Sequence, residues 1–86
     1  MEIKSLTIYS TVECPYCHLL KDWLGKKGIA YKNIFVDKDE KAADRMIQIS
    51  GQMGVPVTEI FFTNGKNEIV VGFDKPKIAK LLNIKE

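Results

Sequence analysis

The sequence is poor in cysteine, with two in 86 residues, which excludes a small fold stapled by several bridges, since that needs at least four. It has no apolar run approaching the ~18 residues of a membrane span, so no membrane association is expected. Neither sign of charge dominates: 13 Lys and Arg face 11 Asp and Glu, a formal net charge of +2. An excess so small and so scattered gives no footprint for nucleic acid. Repeats, low-complexity tracts and Gly/Ser-rich linkers are all missing. The opening run Met1-Glu2-Ile3-Lys4-Ser5-Leu6 carries an acid and alternating polarity, where a secretory signal has a basic start and a long apolar stretch. A cytoplasmic location is the resulting expectation.

What is present is globular in character. Residues are 45% hydrophobic and 28% charged, a balance that excludes intrinsic disorder. The length suits one domain over residues 1–86, large enough to bury roughly 60–65% of its unfolded surface. A monomer is the expected state.

Hydrophobic spacing divides the chain. Ile3 to Tyr9 alternates and predicts a strand. Pro15 suits the first turn of a helix after Cys14; Leu19, Leu20, Trp23 and Leu24 form its apolar stripe, and Lys26, Lys27 and Gly28 close it. Tyr31 to Val36 predicts a second strand. Asp37 and Glu40 resemble a capping box opening a second helix, with Ala43, Met46, Ile47 and Ser50 on its buried face and Gly51 at its end. Val57 to Phe62 predicts a third strand, and Asn64-Gly65 signals a hairpin returning through Glu68 to Phe73. Asp74 caps a last helix with Pro76 in its first turn and Ile78, Leu81 and Leu82 inward. A right-handed βαβ unit makes the first two strands parallel, and the hairpin must join their sheet, because an isolated hairpin is marginal in water. The expected class is α/β: a four-stranded mixed β-sheet flanked by three α-helices.

The chemistry sits where the first strand meets the first helix. Cys14 and Cys17 form a Cys-x-x-Cys pair, which at such a junction reads as a redox site of thioredoxin-like type. Unpaired N–H groups and the helix dipole at Cys14 favour an anion, hence the thiolate. Cys17 lies one turn deeper on the same side, so its sulfur can reach that of Cys14. The expected sequence of events is attack by Cys14 on a disulfide, then resolution by Cys17 or an incoming thiol. Pro15 stiffens the loop and Tyr16 offers an aromatic edge beside the sulfurs. Pro56 opens the third strand, a position where proline is tolerated. A cis Val55–Pro56 bond would turn the Val55 backbone outward, free to pair with an extended ligand; a trans bond is the alternative.

Cys14-Pro15-Tyr16-Cys17, Val55-Pro56 before a strand, and Gly72-Phe73-Asp74 opening the last helix together resemble the glutaredoxins over essentially the whole chain. The resemblance implies a thioredoxin-like fold, a cis Pro56, and no tightly bound cofactor. It implies glutathione as co-substrate, with protein disulfides or glutathionylated proteins as partners. Carried over position by position, Cys14 and Cys17 would be catalytic, and Tyr16, Val55, Pro56, Gly72, Phe73 and Asp74 would bind substrate. Val55 would pair its N–H and C=O with the cysteinyl part of glutathione, and the Phe73 and Asp74 N–H groups would hold its γ-glutamyl carboxylate, as helix N-termini hold anions.

Some positions depart from that pattern. Thr11 stands where many glutaredoxins carry lysine, Met53 where a basic residue is common, Glu13 precedes Cys14, and Val71-Gly72 replaces two glycines. Gly72-Phe73 also resembles the glutaredoxin-like proteins reduced by thioredoxin reductase that serve ribonucleotide reductase. A carrier of zinc or an iron–sulfur cluster is a further alternative, but two cysteines and His18 fall short of four ligands in one chain, so no metal site is expected. His18 and Lys21 read as surface residues, and Glu59, in an otherwise apolar strand, reads as a solvent-facing acid.

Overall fold

The computed structural model describes residues 2–85; Met1, at the head of the segment read above, and Glu86 lie outside them. The elements follow the expected order: β1 Ile3–Ser10, α1 Pro15–Lys26, β2 Lys32–Phe35, α2 Glu40–Ser50, β3 Val57–Phe62, β4 Asn67–Val71 and α3 Lys75–Leu82. The sheet is ordered β2-β1-β3-β4. β1 pairs with β2 in parallel and with β3 antiparallel, and β4 is antiparallel to β3. This is the mixed four-stranded sheet with three helices predicted from the pattern, and it is the thioredoxin-like fold.

Strand alternation sends neighbouring residues to opposite faces of the sheet. On one face Leu6, Ile8, Ile60 and Phe62 are buried against Leu20, Trp23 and Leu24 of α1 and Ile78, Ala79 and Leu82 of α3. The other face is smaller: Tyr9, Met46 and Val57 are buried there, with Ile34, Ala42, Ile49 and Ile69 packed around them.

Five local expectations give way to the structure, each for a physical reason. Leu19 is 50% exposed, because the buried stripe of α1 is centred on Cys17, Leu20 and Leu24, spaced i, i+3, i+7, and one residue of offset turns Leu19 away. Ile47 is exposed for the same reason: the inward face of α2 is set by Ala42, Met46 and Ile49. The N-cap of α2 is Asp39, whose Oδ1 accepts from Ala42 N–H at 3.1 Å. Asp37 lies in the turn after β2, and its Oδ2 accepts from Val12 N–H at 3.3 Å. β4 stops at Val71, short of Phe73, because Gly72 adopts φ +82 and turns the chain out of the sheet. Glu59 is the fifth. It is 1% exposed, not solvent-facing, and is held by three donors described below.

Candidate functional site

The pairings Tyr9↔Val57 and Val57↔Val71 bring the end of β1, the start of β3 and the end of β4 to one edge of the sheet. The Cys14 loop, the Val55–Pro56 turn and the Gly72–Asp74 turn therefore emerge together. One hydrogen bond ties two of them directly: Gly72 N–H donates to the Pro56 carbonyl at 2.8 Å. The Val55–Pro56 bond is cis, as the resemblance implied.

Cys14 is the N-cap of α1, in extended conformation, with Pro15 in the first turn. Its Sγ accepts the backbone N–H of Cys17 at 3.2 Å, so the sulfur occupies the position where a capping serine or aspartate oxygen would sit. Cys14 is 9% exposed and Cys17 fully buried, and the two thiols are free. Burial pushes the Cys17 thiol up to about 12, reinforced by its hydrogen bond with Cys14; the Thr11 backbone and the Lys21 charge act against this. The two sulfurs are one helical turn apart and chemically unequal. One caps the helix with its sulfur, and the other is a thiol kept protonated by its surroundings.

Side chains outside the predicted site residues brace the loops. The segment before Cys14 is held from two sides: Asp37 takes the Val12 N–H, and His18 Nε2 lies 3.1 Å from the Val12 carbonyl. A carbonyl only accepts, so that ring nitrogen is the donor. Exposed His18 thus touches the loop and not the sulfur. Before the cis bond, Gln52 clasps Gly54 through both halves of its amide: Nε2 donates to the Gly54 carbonyl at 2.9 Å, and Oε1 accepts the Gly54 N–H. A Cβ on Gly54 would come within 2.7 Å of that oxygen and displace the clasp.

The remaining predicted positions surround these groups. Tyr16 is 63% exposed and Val55 half-buried. Asp74 is the N-cap of α3, its Oδ1 accepting from Lys77 N–H at 3.2 Å. Phe73 is half-buried, edge-on to Trp23 at 6.4 Å between ring centres. Lys21 is more than a solvated stem, since its Nζ sits 5.0 Å above the Phe35 ring. Among the described residues no group of three or more His, Cys, Asp or Glu side chains is placed to hold a metal ion.

Comparison with known proteins identifies the family. A family model described as Glutaredoxin matches residues 6–66. The chain is 39% identical over 77 residues to an uncharacterized glutaredoxin-like 8.6 kDa protein in the rubredoxin operon of Clostridium pasteurianum, covering 90% of this chain and 96% of that one. It is 35% identical over 52 residues to glutaredoxin 3 of Escherichia coli strain K12, covering 60% of this chain and 63% of that one. Among solved structures, the glutaredoxin-like protein NrdH-redoxin from Escherichia coli superimposes with a TM-score of 0.74 at 26% identity, covering 90% and 93% of the two chains. The family match runs from the middle of β1 to the hairpin before β4, through the Cys14–Cys17 turn and the cis proline, and the chain belongs to the glutaredoxin family.

Proposed function

We propose that this protein is a dithiol thiol–disulfide oxidoreductase that reduces protein disulfides and glutathione mixed disulfides, with Cys14 the attacking sulfur, Cys17 the resolving one and glutathione the reductant. The observation that carries the reading is the inequality of the sulfurs: Cys14 Sγ receives an N–H at the helix N-terminus, while Cys17 is buried with its thiol pushed up to about 12.

In this reading the Cys14 thiolate attacks one sulfur of the substrate disulfide. A Cys14–substrate disulfide forms and the other half leaves as a thiolate. Cys17 then attacks Cys14 Sγ, the Cys14–Cys17 disulfide closes, and the Cys17 proton goes to the departing substrate thiolate. Two glutathione thiols restore the dithiol and end as glutathione disulfide. With glutathione mixed disulfides, a glutathione thiolate releases Cys14 without help from Cys17. Val55, ahead of the β3 ladder, would pair with the glutathione backbone. Pro56 and Gly72 would form the floor beneath it through their hydrogen bond, Tyr16 and Phe73 would flank it, and the Phe73 and Asp74 amides would receive its carboxylate.

A second reading is favoured by Thr11, Glu13 and Met53, which leave the groove without the cations that would greet an anionic tripeptide. In it, thioredoxin reductase supplies the electrons and the protein donates them to an enzyme such as ribonucleotide reductase. The glutaredoxin-like NrdH of Lactococcus lactis strain MG1363, 26% identical over 76 residues, is the kind of relative this reading draws on.

The deciding experiment is reduction of a small glutathione mixed disulfide with glutathione, glutathione reductase and NADPH. Turnover is expected, lost in Cys14→Ser and partly kept in Cys17→Ser, while Cys17→Ser loses reduction of protein disulfides. Identical behaviour of the two variants overturns the division of labour. Absence of turnover, with thioredoxin reductase substituting productively, selects the second reading.

A further inference from the structure

The flank of α1 that faces α3 holds a cleft of about 420 Å³, of whose lining the proposed chemistry uses Phe73 alone. Its wall is apolar: Leu19, half exposed, with Trp23 and Phe73. Its rim is cationic: Lys26 and Lys27 at the end of α1 and Lys75 at the start of α3, against one acid, Asp22. Lys75 Nζ lies 5.4 Å above the Phe73 ring, which fixes that charge at the rim. Three cations against one acid match the formal excess of +2 carried by the whole chain, so the rest of the molecule is close to balanced. The opposite flank of the Cys14 loop has the reverse bias: the hollow there is lined by Glu13 and Asp37 with a single lysine, Lys38. Charge is thus divided between the two hollows, and a cleft of one dominant sign focuses its field on a partner of the other.

The cleft is continuous with the proposed site. Phe73 follows Gly72, which bonds the Pro56 carbonyl, and Leu19 lies two residues beyond the second cysteine on α1. At ~1.5 Å per helical residue, Lys26 is ~18 Å along α1 from Cys14 and Leu19 ~7.5 Å. An extended polypeptide at ~3.3 Å per residue covers those spans in about five or six residues and about two or three. Small disulfides cannot reach Lys26 and Lys27; a polypeptide can.

Resting on the oxidoreductase reading, we propose that this cleft docks an acidic segment of a polypeptide disulfide substrate. An apolar side chain two or three residues from the reactive cysteine packs between Leu19 and Phe73, and carboxylates five or six residues from it meet Lys26 and Lys27.

The test is a single-turnover reaction, which needs no choice of reductant. Pre-reduced protein is mixed with peptides whose one cysteine is capped as a disulfide with 2-mercaptoethanol, acid-quenched and read by mass spectrometry. The peptides carry Leu at the third residue and either Glu-Glu or Lys-Lys at the fifth and sixth residues, on either side of the cysteine. Hydroxyethyl disulfide, too short to reach Lys26, is the reference for each protein. At low salt the Glu-Glu peptide with the correct polarity reacts about tenfold faster than its Lys-Lys counterpart, and the ratio collapses in ~0.5 M salt. In Lys26→Gln/Lys27→Gln the ratio falls toward one, and in Asp22→Asn it rises. Equal rates for all peptides, or a ratio untouched by Lys26→Gln/Lys27→Gln, overturn the docking cleft and leave the redox reading standing. Discrimination seen only for glutathione disulfide and not among peptides overturns it in favour of glutathione as occupant. If neither peptides nor hydroxyethyl disulfide oxidise the protein, the redox reading falls and the cleft with it.

Discussion

Thr58 and Glu59 are neighbours on β3, both buried, and they face opposite sides of the sheet. Glu59 points beneath α2 and is fully engaged: Oε1 accepts from the Tyr9 hydroxyl at 3.1 Å, and Oε2 accepts from Arg45 Nη2 at 2.7 Å and from Asn67 Nδ2 at 3.4 Å. Thr58 points the other way, toward the face covered by α1 and α3, and its Oγ1 is buried with no partner among the described residues. The first face is closed by a directional polar clasp, the second by apolar contact alone. Apolar burial is non-directional, so Leu20, Leu24, Ile78 and Leu82 hold α1 and α3 down by area. α2 has fewer inward apolar residues, and Arg45 on it reaches the buried Glu59 carboxylate of the sheet through a charged bond. The reactive helix belongs to the apolar face, and burial there is what raises the Cys17 thiol.

Converting the α2 face to the chemistry of the other is expected to have the largest effect. Glu59→Leu removes the acceptor and leaves the buried Tyr9 hydroxyl without its partner, at a cost of about 1–3 kcal/mol. Arg45 is half exposed and can turn to water, so it adds little. The double variant Tyr9→Phe/Glu59→Leu deletes both buried polar groups and should recover most of the loss, as replacement of buried ionic groups by apolar ones often does. Urea unfolding of the two variants checks this, and equal destabilisation in both would show that the clasp is not what the carboxylate supplies.

The next effect belongs to the apolar face and appears with pH. The Cys17 thiol is raised from 9.0 to about 12 in the folded protein, so above pH 9 the unfolded chain releases a proton the folded one keeps. Stability from this group is complete below about pH 9 and is lost as pH rises toward about 12, by up to ~1.4 kcal/mol per pH unit. Burial raises the Tyr9 phenol above 10.0 as well, with the neighbouring Glu59 charge adding and Arg45 opposing, so alkaline loss steepens beyond pH 10. Cys17→Ala should flatten the fall between pH 9 and 10 more than Tyr9→Phe does, since the unfolded thiol titrates from 9.0 and the unfolded phenol from 10.0. Equal slopes for wild type and Cys17→Ala would remove the claim that Cys17 is protonated there.

These contrasts also mark where the sequence is legible. Element order, sheet composition and the placing of Cys14, Pro56 and Asp74 follow from period, caps and turn residues, because each is a local signal. What escaped is non-local. Glu59 reads as a surface acid because its donors lie 50, 14 and 8 residues away, and nothing near it in the chain announces them. Asp37 satisfies a capping pattern, yet its carboxylate is used by Val12, 25 residues earlier; Asp39, two residues on, takes the cap. Leu19 and Ile47 belong to apolar stripes whose centre is decided by which helix face meets the sheet, and periodicity alone leaves that angle open by one residue. Gln52 has no motif at all, since its clasp on Gly54 depends on the turn both residues build.

The smallest expected effect has the opposite sign to that at Glu59 and comes from the adjacent residue. Thr58→Val keeps the branched shape, exchanges a hydroxyl for a methyl, and places it among Ile8, Val70 and Ile60. A buried hydroxyl gives up its water hydrogen bonds on folding, and where no protein acceptor replaces them the desolvation is uncompensated. Removing it should therefore stabilise the protein by ~1 kcal/mol, a rise of roughly 4–8 °C in Tm at this size. Thermal unfolding of the reduced protein reads the shift directly. A loss of stability in Thr58→Val would mean that the hydroxyl is satisfied in the folded state, and the α1 face would then share the polar character of the α2 face. A gain, beside a loss in Glu59→Leu, would establish that polar burial on β3 is favourable only where α2 supplies the partners.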